Sequence, residues 1–172
     1  RAFDTCPAMY KEKYIKKTSA PVNDAHEFGI LAHKVMEKYL RHLTIQGKTR
    51  DTVFAEELFV KALAKALNPD QEQSVRDVLQ PQSIVHHGEQ VLSGSSWAIE
   101  KESAYTANWT PTSWYGVDVR WRAKMDLTQI NCWGQLEITD FKTSYRMPPH
   151  DEITGDFQLW SYAATAARDY PD

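Results

Sequence analysis

Apolar residues along this chain change their spacing once, near the middle, and that change limits the fold more than any other feature. In residues 26–46, Phe28, Leu31, Val35, Tyr39 and Leu43 recur at helical spacing, with Lys34, Lys38 and Arg41 opposite them. From Trp97-Ala98-Ile99-Glu100, and strongly from Val117 to Leu127, the period falls to two. Val117, Val119, Trp121, Ala123, Met125 and Leu127 then share one strand face, and Asp118, Arg120, Arg122, Lys124 and Asp126 the other. Helices first and strands second predict segregated layers, an α+β fold.

Local signals set the expected boundaries. Gly47 closes the first helix; a second is expected over about Thr52–Leu67, stopped by Asn68-Pro69. A third opens on the Asp70/Gln73 capping pattern and is ended by Pro81. Asn131-Cys132-Trp133-Gly134 supplies a turn into a partner strand, Leu136–Thr143, and a closing helix spans about Ile153–Arg168 before Tyr170-Pro171. With 172 residues, 42% hydrophobic, and no linker or repeat, one domain over residues 1–172 is expected. No apolar run approaches the roughly 18 residues of a membrane helix.

The net charge of −3 excludes a nucleic-acid binder held by bulk charge alone but allows a local basic groove. Residues 87–172 carry 12 acidic against 7 basic side chains, so metal ligands are to be sought there. Cys6 and Cys132 are too few for a disulfide scaffold or a self-contained zinc or iron–sulfur site, which fits a reducing compartment. The chain opens on Arg1 without a signal-peptide pattern, which fits an excised piece or a processed product.

Asp140 and Lys142, two apart on a strand, aim the same way. With the turn centred near Cys132, Asp126 falls within about a residue of facing Asp140, close enough to share a cation. Two carboxylates and an ammonium suit metal-assisted phosphodiester hydrolysis: the cation polarises the phosphate and activates water, and the lysine positions that water and offsets charge. A solvated surface pair is the alternative for Asp140 and Lys142. Taken alone, His33 reads as a helix-surface histidine, as do Gln158 and Tyr162 as helix surface, and Trp114, Trp121, Trp133 and Trp160 as core or sheet cover. Lys11, Lys13, Lys16 and Lys17 fit a solvated face or phosphate contacts equally well. Gly47-Lys48-Thr49 lacks the upstream glycine of a phosphate loop, and His26-Glu27 has Ile30 where a zinc-protease motif needs histidine.

Four stretches recur together in order: Gly29 to Glu37 around His33 on a helix, Asp126 ending a strand, Asp140-Phe141-Lys142-Thr143 on the next, and Gln158 to Tyr162 on the closing helix. Over roughly residues 2–171 they resemble the RecB-like, phage-exonuclease branch of the PD-(D/E)XK nuclease superfamily. The resemblance implies a restriction-endonuclease-like core: a mixed central sheet with an antiparallel hairpin, flanked by helices. It implies Asp126, Asp140 and Lys142 as catalytic residues, and His33, Asp126, Asp140 and the Phe141 carbonyl around Mg2+ or Mn2+. Gln158, Tyr162, Glu100, Glu37, Arg120, Arg122 and Lys124 would support the site or contact DNA. The activity implied is a metal-dependent DNA nuclease, an exonuclease acting on linear ends in recombination, repair or phage DNA metabolism. It would work in the cytoplasm, bacterial or phage-encoded, without membrane contact. The alternatives are the nuclease domain of a larger helicase–nuclease or recombination complex, and a non-catalytic DNA-binding module. Cys6-Pro7 is similar to the first cysteine of cluster-bearing members, but its three partners do not follow the last helix, so no iron–sulfur cluster is expected.

Overall fold

The first apolar stripe folds into α1 (Asp24–Gln46), which buries Phe28, Val35, Tyr39 and Leu43. Gly47 ends it with a left-handed φ of 61°, a conformation that glycine adopts without steric cost. The computed structural model describes residues 24–47, 50–143 and 156–170; Cys6 and Lys11, Lys13, Lys16 and Lys17 lie outside them.

The second helix is shorter than its pattern suggests. α2 (Thr52–Leu63) starts at Asp51, whose carboxylate accepts from Phe54 N, and gives way to tighter bonds from Lys65 N to Ala62 O and Ala66 N to Leu63 O. The chain must straighten before Pro69, and Asn68, extended at φ −154°, becomes the cap of α3 (Pro69–Val78) in place of the expected Asp70. Pro81 does more than end a helix: it is the first residue of α4 (Pro81–Val91), an element the sequence reading lacked. α4 turns Ile84, Val85 and Gly88 inward. Gly88 packs directly on Tyr39, since a Cβ there would come within 2.5 Å of the Tyr39 ring. The four helices enclose the larger apolar core.

Three strands follow, β1 (Ser95–Tyr105), β2 (Trp121–Ile130) and β3 (Leu136–Thr139), in that spatial order. The expected mixed sheet is, among the described residues, antiparallel at both pairings. β2 begins later than the alternation from Val117 suggests, because Gly116 N to Ser113 O and Val119 N to Gly116 O turn the chain there and leave Val117 exposed. Asn131–Gln135 forms the expected turn, closed by Asn131 N to Gln135 O with Gly134 at φ 78°. β3 stops at Thr139 instead of Thr143.

α5 (Phe157–Asp169) is capped by Asp156, and the expected stretch before residue 156 lies outside the described residues. Its Tyr162 packs on Ala123 and Met125 of β2, and Trp121 Nε1 donates to Thr165 Oγ1 at 3.0 Å. Trp133 and Trp160, read as core or cover, are instead 81% and 67% exposed. The architecture is α+β, with helices packed on the sheet as in a restriction-endonuclease-like core. Among the described residues no helix is long and apolar enough to cross a membrane.

Candidate active site

Register places the acidic residues in one row. Ile99 pairs with Leu127 and Lys101 with Met125, which sets Glu100 opposite Asp126. Leu127 pairs with Thr139, so one step further Asp126 meets Asp140. Glu100 reaches its place through a backbone irregularity, a φ of 54° that costs a non-glycine residue about 1–3 kcal/mol. α1 approaches the same row: His33 Nδ1 lies 3.5 Å from Asp126 Oδ1. His33, Glu100 and Asp126 each offer a ligand atom, all within 4.8 Å of one another. Asp126 is buried, and its other oxygen accepts from Phe141 N at 2.7 Å. The Asp126 side chain bonded to His33 raises the imidazole above its ordinary pKa against the opposing effect of burial, aided by the main chain of Phe141 and the charge of Asp140.

Asp140 follows directly on the last residue of β3 and lies outside that three-residue group. Both of its oxygens are engaged. Oδ2 is 2.6 Å from Lys142 Nζ, while Oδ1 accepts from Gln158 Nε2 at 3.1 Å and from the Tyr162 hydroxyl at 3.3 Å. Gln158 Oε1 also accepts from Lys142 Nζ at 3.0 Å, and its amide donates to Tyr162. Gln158 and Tyr162 stand one turn apart on α5, so a single helix face grips both members of the acid–lysine pair. Burial pushes the Tyr162 hydroxyl up to about 12; the Gln158 hydrogen bond opposes this and the charges of Asp140 and Asp126 add to it. Tyr162 therefore stays protonated at neutral pH and donates a hydrogen bond to Asp140.

A cleft of about 480 Å³ opens beside this row, lined among others by His26, His33, Lys34, Glu37, Glu100, Lys124, Asp126 and Thr143. Lys124 spans two acids, at 2.5 Å from Glu100 and 3.9 Å from Glu102, and the Glu100 hydrogen bond raises its pKa against partial burial. Glu37 lies on the cleft wall, bonded to Arg41, whose guanidinium also donates to Ile99 O. Arg120 and Arg122 are not among the cleft residues: Arg120 donates to Val119 O, and Arg122 sits 5.7 Å from the Trp114 ring centre. The sequence reading gave no role to His26, Lys34 or Thr143. Only their nearness to His33 and Lys142 in the chain could have suggested one.

A hard divalent cation fits this donor set. Carboxylate oxygens with one imidazole suit Mg2+ or Mn2+, whereas the described cysteine, Cys132, is exposed and takes no part. No curated protein and no solved structure matches the chain significantly. The model of the PD-(D/E)XK nuclease superfamily matches residues 1–172. With its acid–lysine pair on the strand end and a matching model over its whole length, the chain belongs to the PD-(D/E)XK nuclease superfamily.

Proposed function

We propose that the chain is a magnesium- or manganese-dependent deoxyribonuclease of the RecB-like kind. It acts as an exonuclease on the ends of linear DNA in recombination, repair or phage DNA metabolism, in the cytoplasm of a bacterium or a phage-infected cell. The observation that carries this reading is the convergence of His33, Glu100 and Asp126 beside the Asp140–Lys142 pair.

His33, Glu100 and Asp126 would hold the cation, with Asp140 and the Phe141 carbonyl next to them. Glu100 thereby takes a more direct part than a supporting one. The cation, when bound, supplies a Lewis acid and lowers the pKa of water. Phe141 N–H fixes one oxygen of Asp126 and leaves the other facing His33. Asp140 and Gln158 hold the Lys142 ammonium at two points, so it meets the developing negative charge of the phosphate with little reorganisation. The Tyr162 hydroxyl donates to Asp140 Oδ1 and helps to fix the orientation of that carboxylate.

Digestion of end-labelled linear DNA and of closed circular DNA, each with magnesium, manganese or chelator, tests the proposal. Metal-dependent loss of the linear substrate with closed circles spared is the expected result. Equal nicking of circles would sink exonuclease action, and cleavage in chelator would sink metal dependence.

A further inference from the structure

The cleft has the wrong charge to hold its proposed substrate unaided. Glu37, Glu100 and Asp126 line it, and Lys124 is committed to Glu100 and Glu102. The two arginines expected to grip DNA do not line it. A polyanion reaching Asp126 and Lys142 therefore needs cationic surface elsewhere.

Such a surface continues from the cleft along the groove between α1 and α2. Lys34 and Lys38 stand one turn apart on α1; Lys61 on α2 and Lys65 just beyond its end stand across from them, over a floor of Leu31, Val35, Leu58 and Ala62. Lys34 belongs to both places, lining the cleft on one side and the groove on the other. Arg41, Arg76, Lys101, Lys124 and Lys142 are each paired with a carboxylate, and Arg120 and Arg122, which have no carboxylate partner among the described residues, do not line the cleft. In the groove Lys61 alone has such a partner, Glu57 at 3.2 Å, while Lys34, Lys38 and Lys65 have none among the described residues. Leaving three ammonium groups unpaired around one groove, in a chain of net charge −3, concentrates positive potential along one path. Lysine stems packed along such an apolar floor would keep the charged ends at the rim, where they would meet phosphates and not base edges.

We infer that the α1–α2 groove is a binding track for the sugar–phosphate backbone of the DNA strand beyond the scissile phosphate, with Lys34 as the junction to the cleft. The inference rests on the proposed nuclease reading and adds the route of the substrate. Binding here is electrostatic and independent of base sequence.

The test uses the double variant Lys38→Ala/Lys65→Ala, since neither residue belongs to the proposed catalytic group. Fluorescence anisotropy with long linear DNA in chelator, over a series of salt concentrations, should show affinity lowered about tenfold and the log–log salt slope reduced by about 1–2. Hydrolysis of bis(p-nitrophenyl) phosphate, too small to reach the groove, should be unchanged. Wild-type affinity and slope in the double variant would overturn the track even if the enzyme cuts DNA. Displacement of DNA from the wild type by polyglutamate as readily as by unlabelled DNA would overturn it in favour of an acidic protein segment. A wild type that binds DNA through these lysines but hydrolyses neither substrate would leave the track standing and sink the nuclease proposal.

Discussion

Tyr39, Leu43, Ala55 and Val75 are fully enclosed among the helices by a cluster of apolar side chains, whereas the sheet half encloses Thr128, Gln129 and Thr165 as deeply and Asp126 nearly so. The apolar cluster on β2 and α5 is small: Ala123, Met125 and Tyr162, with Ile138 packed against them. Each polar group in the sheet half is matched. Gln129 accepts from Gly94 N and donates to Glu137, Thr165 bridges Trp121 and Ser161, and no buried polar side-chain atom among the described residues lacks a partner. Apolar burial, which dominates the helical half and continues at Met125 and Leu127, stabilises; the polar burial of the sheet half holds groups in place at little net gain, because each exchanges water for a protein partner. The first half is scaffold apart from the α1 face that brings His33 to the site, and the second carries the oriented carboxylates.

Paired substitutions sharpen that contrast, and the largest effect belongs to Asp126. Asp126→Asn can still accept from Phe141 N but presents no full negative charge to a cation. Nuclease activity should fall about a thousandfold, equivalent to about 4 kcal/mol of barrier, while the melting temperature moves by no more than about 4 °C. Parallel activity and thermal-melt assays check both numbers. Activity within tenfold of wild type would remove Asp126 from the chemistry. Leu43→Ala should show the reverse, losing about 3 kcal/mol of stability through lost burial and a cavity, with activity per folded molecule unchanged in a urea titration followed by assay below the transition. If Leu43→Ala reduced kcat without destabilising the fold, the division between scaffold and site would break.

The same division explains what could be read from the sequence. Phe28, Val35, Tyr39 and Leu43 announce α1 because apolar burial imposes a period of 3.6. The hairpin is equally legible, since the Asn131–Gly134 turn and the alternation from Trp121 fix its register. α4 escaped because a proline that can end one helix can also begin the next, and only the packing of Ile84, Val85 and Gly88 onto α1 decides between them. At the site, residue types and order pointed to His33, Asp126, Asp140 and Lys142. The positive φ that carries Glu100 toward His33 and Asp126 has no signature in composition or periodicity. Nor does alternation foretell that residues 125–129 are buried without interruption, since it assumes one wet face.

A smaller effect is expected at Tyr162, which joins the two kinds of burial by packing on Met125 and donating to Asp140. Tyr162→Phe keeps the ring and removes the hydroxyl. Stability should fall by about 1 kcal/mol, the usual net worth of a hydrogen bond, and kcat by about tenfold as the hold on Asp140 loosens. Steady-state kinetics separates kcat from KM here; an unchanged kcat would leave Gln158 as the sole α5 residue that positions Asp140.

The smallest effect is at the opposite end of α5, where polar burial serves the fold and not the chemistry. Asp169 takes hydrogen bonds from Ser103 and Tyr105 and an ion pair from Lys101 at 2.9 Å, tying the helix to β1. Burial pushes its carboxyl pKa up, but the Ser103, Tyr105 and Lys101 contacts outweigh that and hold it below its ordinary value of 3.8. A carboxyl with a lower pKa folded than unfolded binds fewer protons in the folded state. Its stabilisation is therefore present above 3.8 and lost as pH falls through the folded value. Asp169→Asn should melt slightly lower at neutral pH and lose less on acidification, so its melting curve against pH should converge on that of the wild type below 3.8. Two curves that stay parallel through the acid range would show that Asp169 titrates alike in both states, and that this knot of polar groups contributes nothing linked to its charge.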